Sequence, residues 1–282
     1  MSESTGMWYK LRTTANINEN RMENPTSTMV NQKEDNSRRI YIMFRREGNL
    51  NFKLFNCDSY YFEKSQLVDT KELGTTRVDF ALQKIIYIND RLVLVKQTFK
   101  CDQKALIMYE IKINKAFPIK TKLVEDLLNN SIEQRNDGLV FFGGHNQQLE
   151  THSRLFFFSI LTLKFEEVEA NSGPRPEPRF LAYSKIIRNQ LVITNGYSSY
   201  TDYYKGEFIK DIWSIDFKTL VWTQIIRPNN YPPSVSSITS KGEDIIFLCD
   251  TKRTSVNVYN HSKREFTSIK TNASIEIEKG VF

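Results

Sequence analysis

The sequence predicts an all-β protein built from repeated four-stranded units. A small polar residue closes an apolar run and is followed, six residues later, by an aromatic residue; the pattern returns about every 50 residues, and each copy has a further apolar run upstream. The copies are Asn56 to Phe62, Ser159 to Phe165, Asp216 to Trp222 and Asn260 to Phe266. Self-similarity at a fixed period of this length is typical of proteins whose repeats stack to bury a shared core.

Each copy of the pattern has the sequence of a hairpin. In the clearest copy, Ile212 to Asp216 is an apolar run, Phe217 to Thr219 is a turn, and Leu220 to Trp222 begins a second run. Runs of this length that are rich in Val, Ile, Phe and Tyr are typical of buried strands and are too short for helices. The pattern therefore supplies the third and fourth strands of each repeat.

The upstream runs supply the second strands. They are Ile40 to Phe44, Leu92 to Val95, Leu139 to Phe142, Leu191 to Ile193 and Ile245 to Leu248. A first strand is plainest at Arg179 to Ile187, because it follows the turn-forming stretch Ser172 to Pro178.

The last aromatic of each hairpin marks five repeats, with spacings of 55, 48, 57 and 44 residues; the markers are Phe62, Phe117, Phe165, Trp222 and Phe266. This period resembles kelch repeats more than the shorter WD40 repeats. The fourth repeat carries the residues of the kelch pattern at Arg179, Asn195-Gly196, Trp213, Asp216, Thr219 and Trp222, and the third carries Gly143-Gly144 and Phe165. The others depart from it, with Cys249-Asp250, Lys96-Gln97 and Arg45-Arg46 in place of glycines, and with Phe117 shifted by one residue.

The resemblance implies a kelch-type β-propeller of about five recognisable blades plus parts of a sixth, in a single domain over residues 1–282. Residues 1–39 are expected to be partly irregular, with a closing strand near Trp8, one period before Phe62. Strands are expected at Ala273 to Glu278 and from Gly280 onward. We expect an incomplete ring or fragment, a ring closed by five blades, or a ring completed by a partner chain, since closure removes exposed edges. The marker aromatics are expected to pack in the core.

Composition favours a globular β protein. Apolar residues make up 40% of the chain, and Thr121 to Asn130 is the best candidate for a helix. Thr13 to Glu23 and Asn31 to Arg39 are polar and are expected to be loop or disordered. The net charge of +6 is a mild excess, so specific nucleic-acid binding is not expected.

The cysteines and the termini indicate a reducing compartment. Cys57, Cys101 and Cys249 are too few and too scattered for a disulfide framework. The N-terminus lacks the features of a secretory signal, and the longest apolar run, Leu155 to Leu163, is too short to span a bilayer. The expected location is cytoplasmic, without membrane attachment.

No motif of a catalytic or metal site stands out. His145, His152 and His261 are the three histidines, and the first two are interpreted as solvated loop residues, not metal ligands. No cofactor and no catalytic residue is expected. Related propeller folds include enzymes, however, and an epimerase-like, carbohydrate-modifying enzyme would need only Arg, Glu and other polar groups around the channel, so it stays as the alternative function.

The loops are the stronger candidates for function. In kelch propellers, connections between the second and third strands often bind partners, and loops on rigid scaffolds concentrate recognition. In the fourth repeat this connection runs from Gly196 to Gly206 and is rich in tyrosine, a residue enriched at interfaces. Its candidate partner-binding residues are Tyr197, Tyr200, Tyr203, Tyr204 and Lys205. The alternative is that some of these rings fold back onto the blade.

A second candidate is Arg45-Arg46, interpreted as the start of the equivalent loop in the first repeat, with Arg38-Arg39 entering the strand before it. Arginine's planar fork suits carboxylates, so an acidic peptide segment is the expected ligand; solvated surface charge is the alternative. The sequence thus predicts a non-enzymatic scaffold or adaptor that binds a protein partner. A role as a ubiquitin-ligase adaptor would need a further F-box or BTB segment.

Overall fold

The computed structural model describes residues 23–31, 38–46, 49–57, 61–73, 81–88, 91–97, 106–119, 128–136, 138–146, 148–198, 207–226, 235–241, 244–249, 255–260, 263 and 265–270. Within these residues the chain forms twenty strands and one short 3-10 helix. The chain divides into two compact units. The first comprises Tyr9–Val124 with Lys279–Phe282, and the second comprises Met1–Trp8 with Glu125–Glu278.

The first unit contains two antiparallel sheets. Sheet 1 consists of β1 (Glu23–Asn31), β2 (Arg38–Arg46), β3 (Asn49–Asn56) and β4 (Tyr61–Leu67). After the 3-10 helix η1 (Lys71–Leu73), sheet 2 consists of β5 (Ala81–Ile88), β6 (Arg91–Gln97), β7 (Leu106–Glu110) and β8 (Lys115–Ile119). In both sheets the strands lie in chain order, so each is an up-and-down meander.

The second unit contains three sheets of the same topology. Sheet 3 consists of β9 (Ser131–Arg135), β10 (Gly138–Phe142), β11 (Leu155–Ser159) and β12 (Lys164–Glu167). Sheet 4 consists of β13 (Tyr183–Ile187), β14 (Gln190–Thr194), β15 (Ile212–Asp216) and β16 (Trp222–Ile226). Sheet 5 consists of β17 (Val235–Lys241), β18 (Asp244–Cys249), β19 (Ser255–Asn260) and β20 (Glu265–Lys270). The prediction of repeated, four-stranded, all-β units is confirmed.

The predicted hairpins form between the third and fourth strands with one recurring register. In four sheets the residue before the small polar one lies opposite the aromatic marker, in the pairs Phe55 and Phe62, Phe158 and Phe165, Ile215 and Trp222, and Tyr259 and Phe266. In sheet 2 the marker Phe117 instead lies opposite Met108, and Ala116 lies opposite Tyr109. Both residues of this second pair are fully buried. A large tyrosine facing a small alanine fills the space at the position where the other hairpins carry the aromatic on the fourth strand.

The small polar residue recurs because its side chain caps the turn. One carboxylate oxygen of Asp216 accepts hydrogen bonds from the backbone N–H groups of Lys218 at 2.8 Å and Thr219 at 3.0 Å. Asn260 and Ser159 accept corresponding bonds from the backbone of the residue three positions on. Asn, Asp and Ser favour turns for this reason. The backbone bonds at Asp216 also lower the pKa of its carboxyl group.

Apolar residues fill the spaces between successive sheets in each unit. One core lies between sheets 1 and 2 and includes Met43, Phe52, Leu94 and Ile107. A second lies between sheets 3 and 4 and is closed by Trp222, whose ring lies 5.3 Å from that of Phe142. A third joins sheets 4 and 5. The first strands of successive sheets are adjacent within each unit, β1 to β5 and β9 to β13 to β17. This blade-like arrangement agrees with a propeller.

Several sequence-based boundaries need correction. The expected loops at 13–23 and 31–39 overlap β1 at Glu23 and Asn31 and overlap β2 at its first two residues, so these positions are strand ends. Arg179 precedes β13 instead of lying within it. Leu128 forms an antiparallel bridge with His145 and Asn129 has φ +54°, so residues 128–130 of the expected helix at 121–130 are not helical. Residues 121–127 lie outside the described residues. Trp8 and the expected strands at 273–282 lie outside the described residues.

Candidate functional site

The second unit has two different ends. At one end, which we call the loop end, lie the connections 143–154 between β10 and β11, 195–211 between β14 and β15, and 168–182 between β12 and β13. At the other, the hairpin end, lie the short turns β9–β10, β11–β12, β13–β14 and β15–β16. The predicted tyrosine-rich connection belongs to the loop end.

An ion pair between Arg179 and Asp211 anchors the loop end. Arg179 is fully buried and Asp211 is 5% exposed. Both terminal nitrogens of Arg179 donate to the two carboxylate oxygens, the Nη2 to Oδ2 bond being 2.9 Å. Two further donors are used as well, because Nε donates to the carbonyl of Glu177 at 3.0 Å and Nη1 to that of Asn195 at 3.2 Å. This arginine therefore joins two loop-end connections and is inaccessible to a partner.

Trp213 completes this network. Its indole N–H donates to Oδ2 of Asp211 at 2.9 Å, so the same carboxylate accepts from an arginine and a tryptophan. A buried charge is tolerated when its hydrogen bonds are satisfied in this way. The sequence indicated Arg179 and Trp213 as kelch-pattern residues but did not indicate Asp211. Its position directly before the apolar run of β15 is the signal that was available.

The glycine pair 143-144 allows sheet 3 to approach the entry to sheet 4. The Gly144 N–H donates to the Arg179 carbonyl at 2.7 Å. Gly144 has φ +101°, and a Cβ there would lie 2.6 Å from the Leu128 carbonyl oxygen. Glycines are needed here because the positions combine positive φ with close backbone approach.

Tyr197 lies at the base of the tyrosine-rich connection. Its backbone N–H and carbonyl pair with those of Phe180 at 3.0 and 3.1 Å, and it forms a second bridge with Phe208. The centroid of its half-buried ring lies 5.7 Å from that of Phe180 and 5.4 Å from that of Phe208. Tyr197 therefore packs against the fold, as the alternative interpretation held. Tyr200, Tyr203, Tyr204 and Lys205 lie outside the described residues.

The two ends of the tyrosine-rich connection are held together. The Ile209 N–H donates to the Gly196 carbonyl at 2.9 Å, and the Ser198 N–H donates to the Glu207 carbonyl at 3.1 Å. The Thr151 hydroxyl, from the neighbouring connection, donates to the Ser198 carbonyl at 2.9 Å. Residues 196–198 and 207–209 therefore form a fixed base, and residues 199–206 lie outside the described residues.

His145 is a structural residue of the neighbouring connection, and the expectation that it is solvated is wrong. It is buried, and its Nδ1 lies 2.9 Å from the Asn146 carbonyl while its Nε2 lies 3.1 Å from the Asn129 amide nitrogen. Since a carbonyl can only accept, Nδ1 carries the proton and Nε2 accepts. Burial lowers the pKa of His145, which favours this neutral form. In the described part of the chain, no group of three His, Cys, Asp or Glu residues is placed to hold a metal ion.

The surface of the loop end combines apolar and acidic side chains. Leu149 and Leu181 are both exposed, and both have positive φ, at 65° and 53°. Glu150, Glu177 and Glu207 are exposed as well. Arg154 is engaged by Glu167, with Nε to Oε1 at 2.8 Å and Nη2 to Oε2 at 2.6 Å. The described part of this end is therefore suited to a partner with apolar contacts.

Arg45 and Arg46 lie in the first unit. They are the last residues of β2 and pair with Leu50 and Asn49 of β3, rather than beginning a long connection. Only residues 47 and 48 separate the two strands. Their part in partner binding stays a prediction.

Polar groups also meet where the first strands of sheets 3 and 4 adjoin. Glu133 of β9 is 8% exposed. The Ser184 hydroxyl donates to its Oε1 at 3.5 Å, and Lys185 Nζ lies 3.9 Å from its Oε2. These polar groups are of the kind that the alternative function, an epimerase-like enzyme, would need.

No family model matches the chain, and a search of curated proteins finds no significant match. None of the helical segments in the described residues has the length and hydrophobicity required to cross a membrane.

Proposed function

We propose that the chain is a kelch-type β-propeller, of about five blades plus parts of a sixth, that serves as a non-enzymatic scaffold or adaptor for a protein partner. The contact residues are Tyr197, Tyr200, Tyr203, Tyr204 and Lys205, with Arg45 and Arg46 receiving an acidic peptide segment of the partner. The fixed base of the 195–211 connection is the observation that carries this proposal.

The base supports binding because it limits the entropy lost when a loop is ordered by a partner. Tyr197 is fastened by two backbone bridges and packs between Phe180 and Phe208. The intervening residues 199–206 include three tyrosines within five positions. Tyrosine provides a large contact area with little rotational freedom, which favours its use in contacts with a protein partner.

The exposed leucines extend the proposed surface. Leu181 directly follows Phe180, and Leu149 belongs to the connection that Thr151 joins to Ser198. Leu149 and Leu181 are 41% and 36% exposed, so their side chains are available for apolar contacts. Leu149 and Leu181 therefore provide the apolar rim of the tyrosine-rich contact.

The proposal is tested by affinity capture from a cell extract with quantitative mass spectrometry. A variant with Tyr200→Ala, Tyr203→Ala and Tyr204→Ala is expected to lose the captured partner, whereas the corresponding triple Tyr→Phe variant keeps the rings and most of the binding. Leu161→Ala is the surface control, because Leu161 is 70% exposed at the hairpin end. A partner retained by the triple alanine variant would contradict the proposed contact.

One alternative to the interaction module is a carbohydrate-modifying enzyme of the epimerase type. It is favoured by the cluster of Glu133, Ser184 and Lys185. A carboxylate, a hydroxyl and an ammonium group side by side could bind sugar hydroxyls and move a proton. Proton NMR of monosaccharides incubated with the protein would detect epimerisation. Turnover that is lost in Glu133→Gln would establish the enzyme, and unchanged spectra would favour the interaction module.

A further inference from the structure

We propose that a seam in the first unit binds an acidic, leucine-containing segment of a protein partner through Leu67, Ile113 and the lysines beside them. The seam comprises residues 64–71 and 112–116, where the end of sheet 1 meets the turn between β7 and β8 of sheet 2. This surface is separate from the contact residues proposed above, and its test does not depend on them.

The seam carries the exposed apolar side chains of the first unit. Leu67 is 57% exposed and Ile113 is 53% exposed. Among the described residues of this unit, they are the only large apolar side chains that are exposed. Single exposed apolar residues are normal on a protein surface, whereas grouped ones mark interaction sites. Their shared location therefore indicates a contact surface.

Asn114 joins the two backbone segments that carry these side chains. Its Nδ2 donates to the Leu67 carbonyl at 2.8 Å. Its Oδ1 accepts hydrogen bonds from the Tyr109 hydroxyl and from Gln66 Nε2, both at 2.9 Å. Leu67 and Ile113 therefore lie on adjoining, hydrogen-bonded backbone, which loses little freedom when a partner binds.

The repeat does not need an apolar residue at position 113. Ile113 directly precedes the positive-φ residue of the β7–β8 turn. In the β11–β12 and β15–β16 turns, the residue directly before the positive-φ residue is a threonine, Thr162 or Thr219. Both threonines are exposed. A polar residue therefore suits this turn.

The repeat does not need an apolar residue at position 67 either. Leu67 ends β4, and the N–H of the next residue, Val68, donates to the Leu50 carbonyl at 2.9 Å. In sheet 3 the corresponding donor is Val168, at 2.8 Å, and the residue before it is Glu167. Because the repeat folds with polar residues at both positions, the two apolar side chains are available for a role in binding.

Lysines accompany the apolar pair along the seam. Lys64 lies on β4, Lys71 begins η1 and Lys115 begins β8. Lys71 is exposed, and the other two are partly exposed. Asp69 lies between them, and its Oδ1 accepts a hydrogen bond from the Lys71 backbone N–H at 3.1 Å.

The nearby strand carboxylates already have arginine partners. Glu63 of β4 pairs with Arg39 at 2.9 Å, and Glu110 of β7 pairs with Arg91 at 2.9 Å. These two carboxylates are therefore directed to arginines of the same unit.

The first unit as a whole is basic. Residues 9–124 and 279–282 contain 22 Lys and Arg against 13 Asp and Glu, a net charge of +9 that includes Glu72 beside Lys71. The rest of the chain contains 17 Lys and Arg against 20 Asp and Glu, a net charge of −3. A field of one sign attracts and orients partners of the opposite sign. The first unit therefore favours an acidic partner.

The chemistry of the seam favours a peptide over a nucleic acid or a membrane. Its exposed apolar side chains are aliphatic, whereas the bases of single-stranded nucleic acids stack on aromatic rings. Two aliphatic side chains offer less apolar area than one myristoyl chain, which by itself gives only marginal membrane binding. A peptide with leucines among its carboxylates matches both features of the seam.

Fluorescence anisotropy at low salt, with the full chain and a labelled peptide of three Glu-Glu-Leu repeats, tests the apolar contact. Leu67→Gln/Ile113→Thr leaves the charge unchanged and is expected to bind the peptide about fivefold more weakly than the wild type. The matched control is Leu161→Gln/Val221→Thr, because these side chains are 70% and 41% exposed in the second unit. A peptide with alanine in place of leucine should bind the wild type as weakly as the Leu67/Ile113 variant binds the first peptide.

The charged contact is tested with the same peptide. Lys71→Ala/Lys115→Ala is expected to bind about tenfold more weakly, because two charged contacts are lost. The control is Lys164→Ala/Lys218→Ala, which removes two exposed lysines of the second unit. Circular dichroism spectra that match the wild type establish that the variants are folded, and the alanine peptide tests the apolar contact on the unaltered chain.

Losses of binding confined to the two seam variants, together with weaker binding of the alanine peptide, support the proposal. Equal losses in a seam variant and its control would overturn it, as would no binding by the wild type or equal affinity for the two peptides. Tighter binding of oligothymidylate or of phosphatidylserine vesicles, with the same sensitivity to Lys71 and Lys115, would overturn it in favour of a nucleic acid or a membrane.

Discussion

Arg179 and Asp211 form a buried, doubly hydrogen-bonded ion pair between residues 32 positions apart, with Nη2 donating to Oδ2 at 2.9 Å. The pair joins the entry to sheet 4 with the connection between its second and third strands. Because the carbonyls of Asn195 and Glu177 accept two further bonds from the arginine, one side chain fixes three backbone segments at the loop end. The tyrosine-rich connection is built on this anchor.

Breaking the pair is expected to destabilise the second unit strongly. Arg179→Met leaves the Asp211 carboxylate buried without its cation, which typically costs about 3–5 kcal/mol. Urea unfolding followed by circular dichroism measures the loss. Arg154→Met, which breaks the partly exposed pair with Glu167, is the matched control and should cost less than about 1 kcal/mol. Similar costs for the two variants would show that the buried pair does not anchor the fold.

Gly144→Ala is expected to lower stability through a clash as well as through backbone strain. The added Cβ would meet the Leu128 carbonyl oxygen at 2.6 Å in a conformation with φ +101°. Gly173→Ala is the control, because Gly173 has φ +144° but no atom within 4 Å of its added Cβ. Both substitutions add backbone strain of about 1–3 kcal/mol. Because Gly144→Ala also adds the clash, its thermal unfolding midpoint should be the lower of the two. Equal midpoints would exclude the clash.

The sequence predicted the hairpins because their determinants are local. Asp216 caps the turn that its own strand enters, so the seven residues 216–222 contain both the cap and the aromatic. β1 was not predicted, because its sequence is polar and contains Pro25, which lies at a shift of register with β2. Proline has no backbone N–H to donate to a neighbouring strand. It is tolerated there because β1 is an edge strand and because a residue at a bulge does not donate to the partner strand.

The candidate site was predicted only in part, for the opposite reason. The composition of the tyrosine-rich connection was visible, but the pairing of Tyr197 with Phe180 and Phe208 depends on segments that are separate in sequence. The partner of Arg179 was likewise hidden by the distance to Asp211 along the chain. Arg45 and Arg46 were placed in a loop because an apolar run ended before them, although the strand continues.

Leu163→Asn is expected to stabilise the protein. Leu163 is 43% exposed and has φ +55° in the β11–β12 turn, where the β7–β8 turn carries Asn114 at φ +57°. Asparagine tolerates this conformation better than leucine, so a gain of about 0.5–1 kcal/mol is expected. Leu161→Asn in the same turn removes exposed apolar surface without relieving positive φ, and its unfolding midpoint should stay near that of the wild type. An equal gain in stability from both variants would show that the polarity of asparagine, and not the relief of positive φ, is responsible.

His145 is expected to make the second unit sensitive to mild acid. Its folded pKa is lowered by burial, whereas the unfolded chain takes up the proton near pH 6.5. The unfolded state therefore binds more protons between that value and the lower folded pKa. The contribution of neutral His145 is complete above about pH 6.5 and declines as the pH falls through this window.

Urea unfolding between neutral pH and about pH 5 would measure this dependence. His145→Gln removes the titrating group and should flatten the decline, although the variant is less stable at neutral pH because the Asn129 and Asn146 bonds are perturbed. His152→Gln is the control, since His152 is only partly buried in the same connection. If the wild type and His145→Gln lose stability in parallel over this range, then protonation of His145 does not control the acid response.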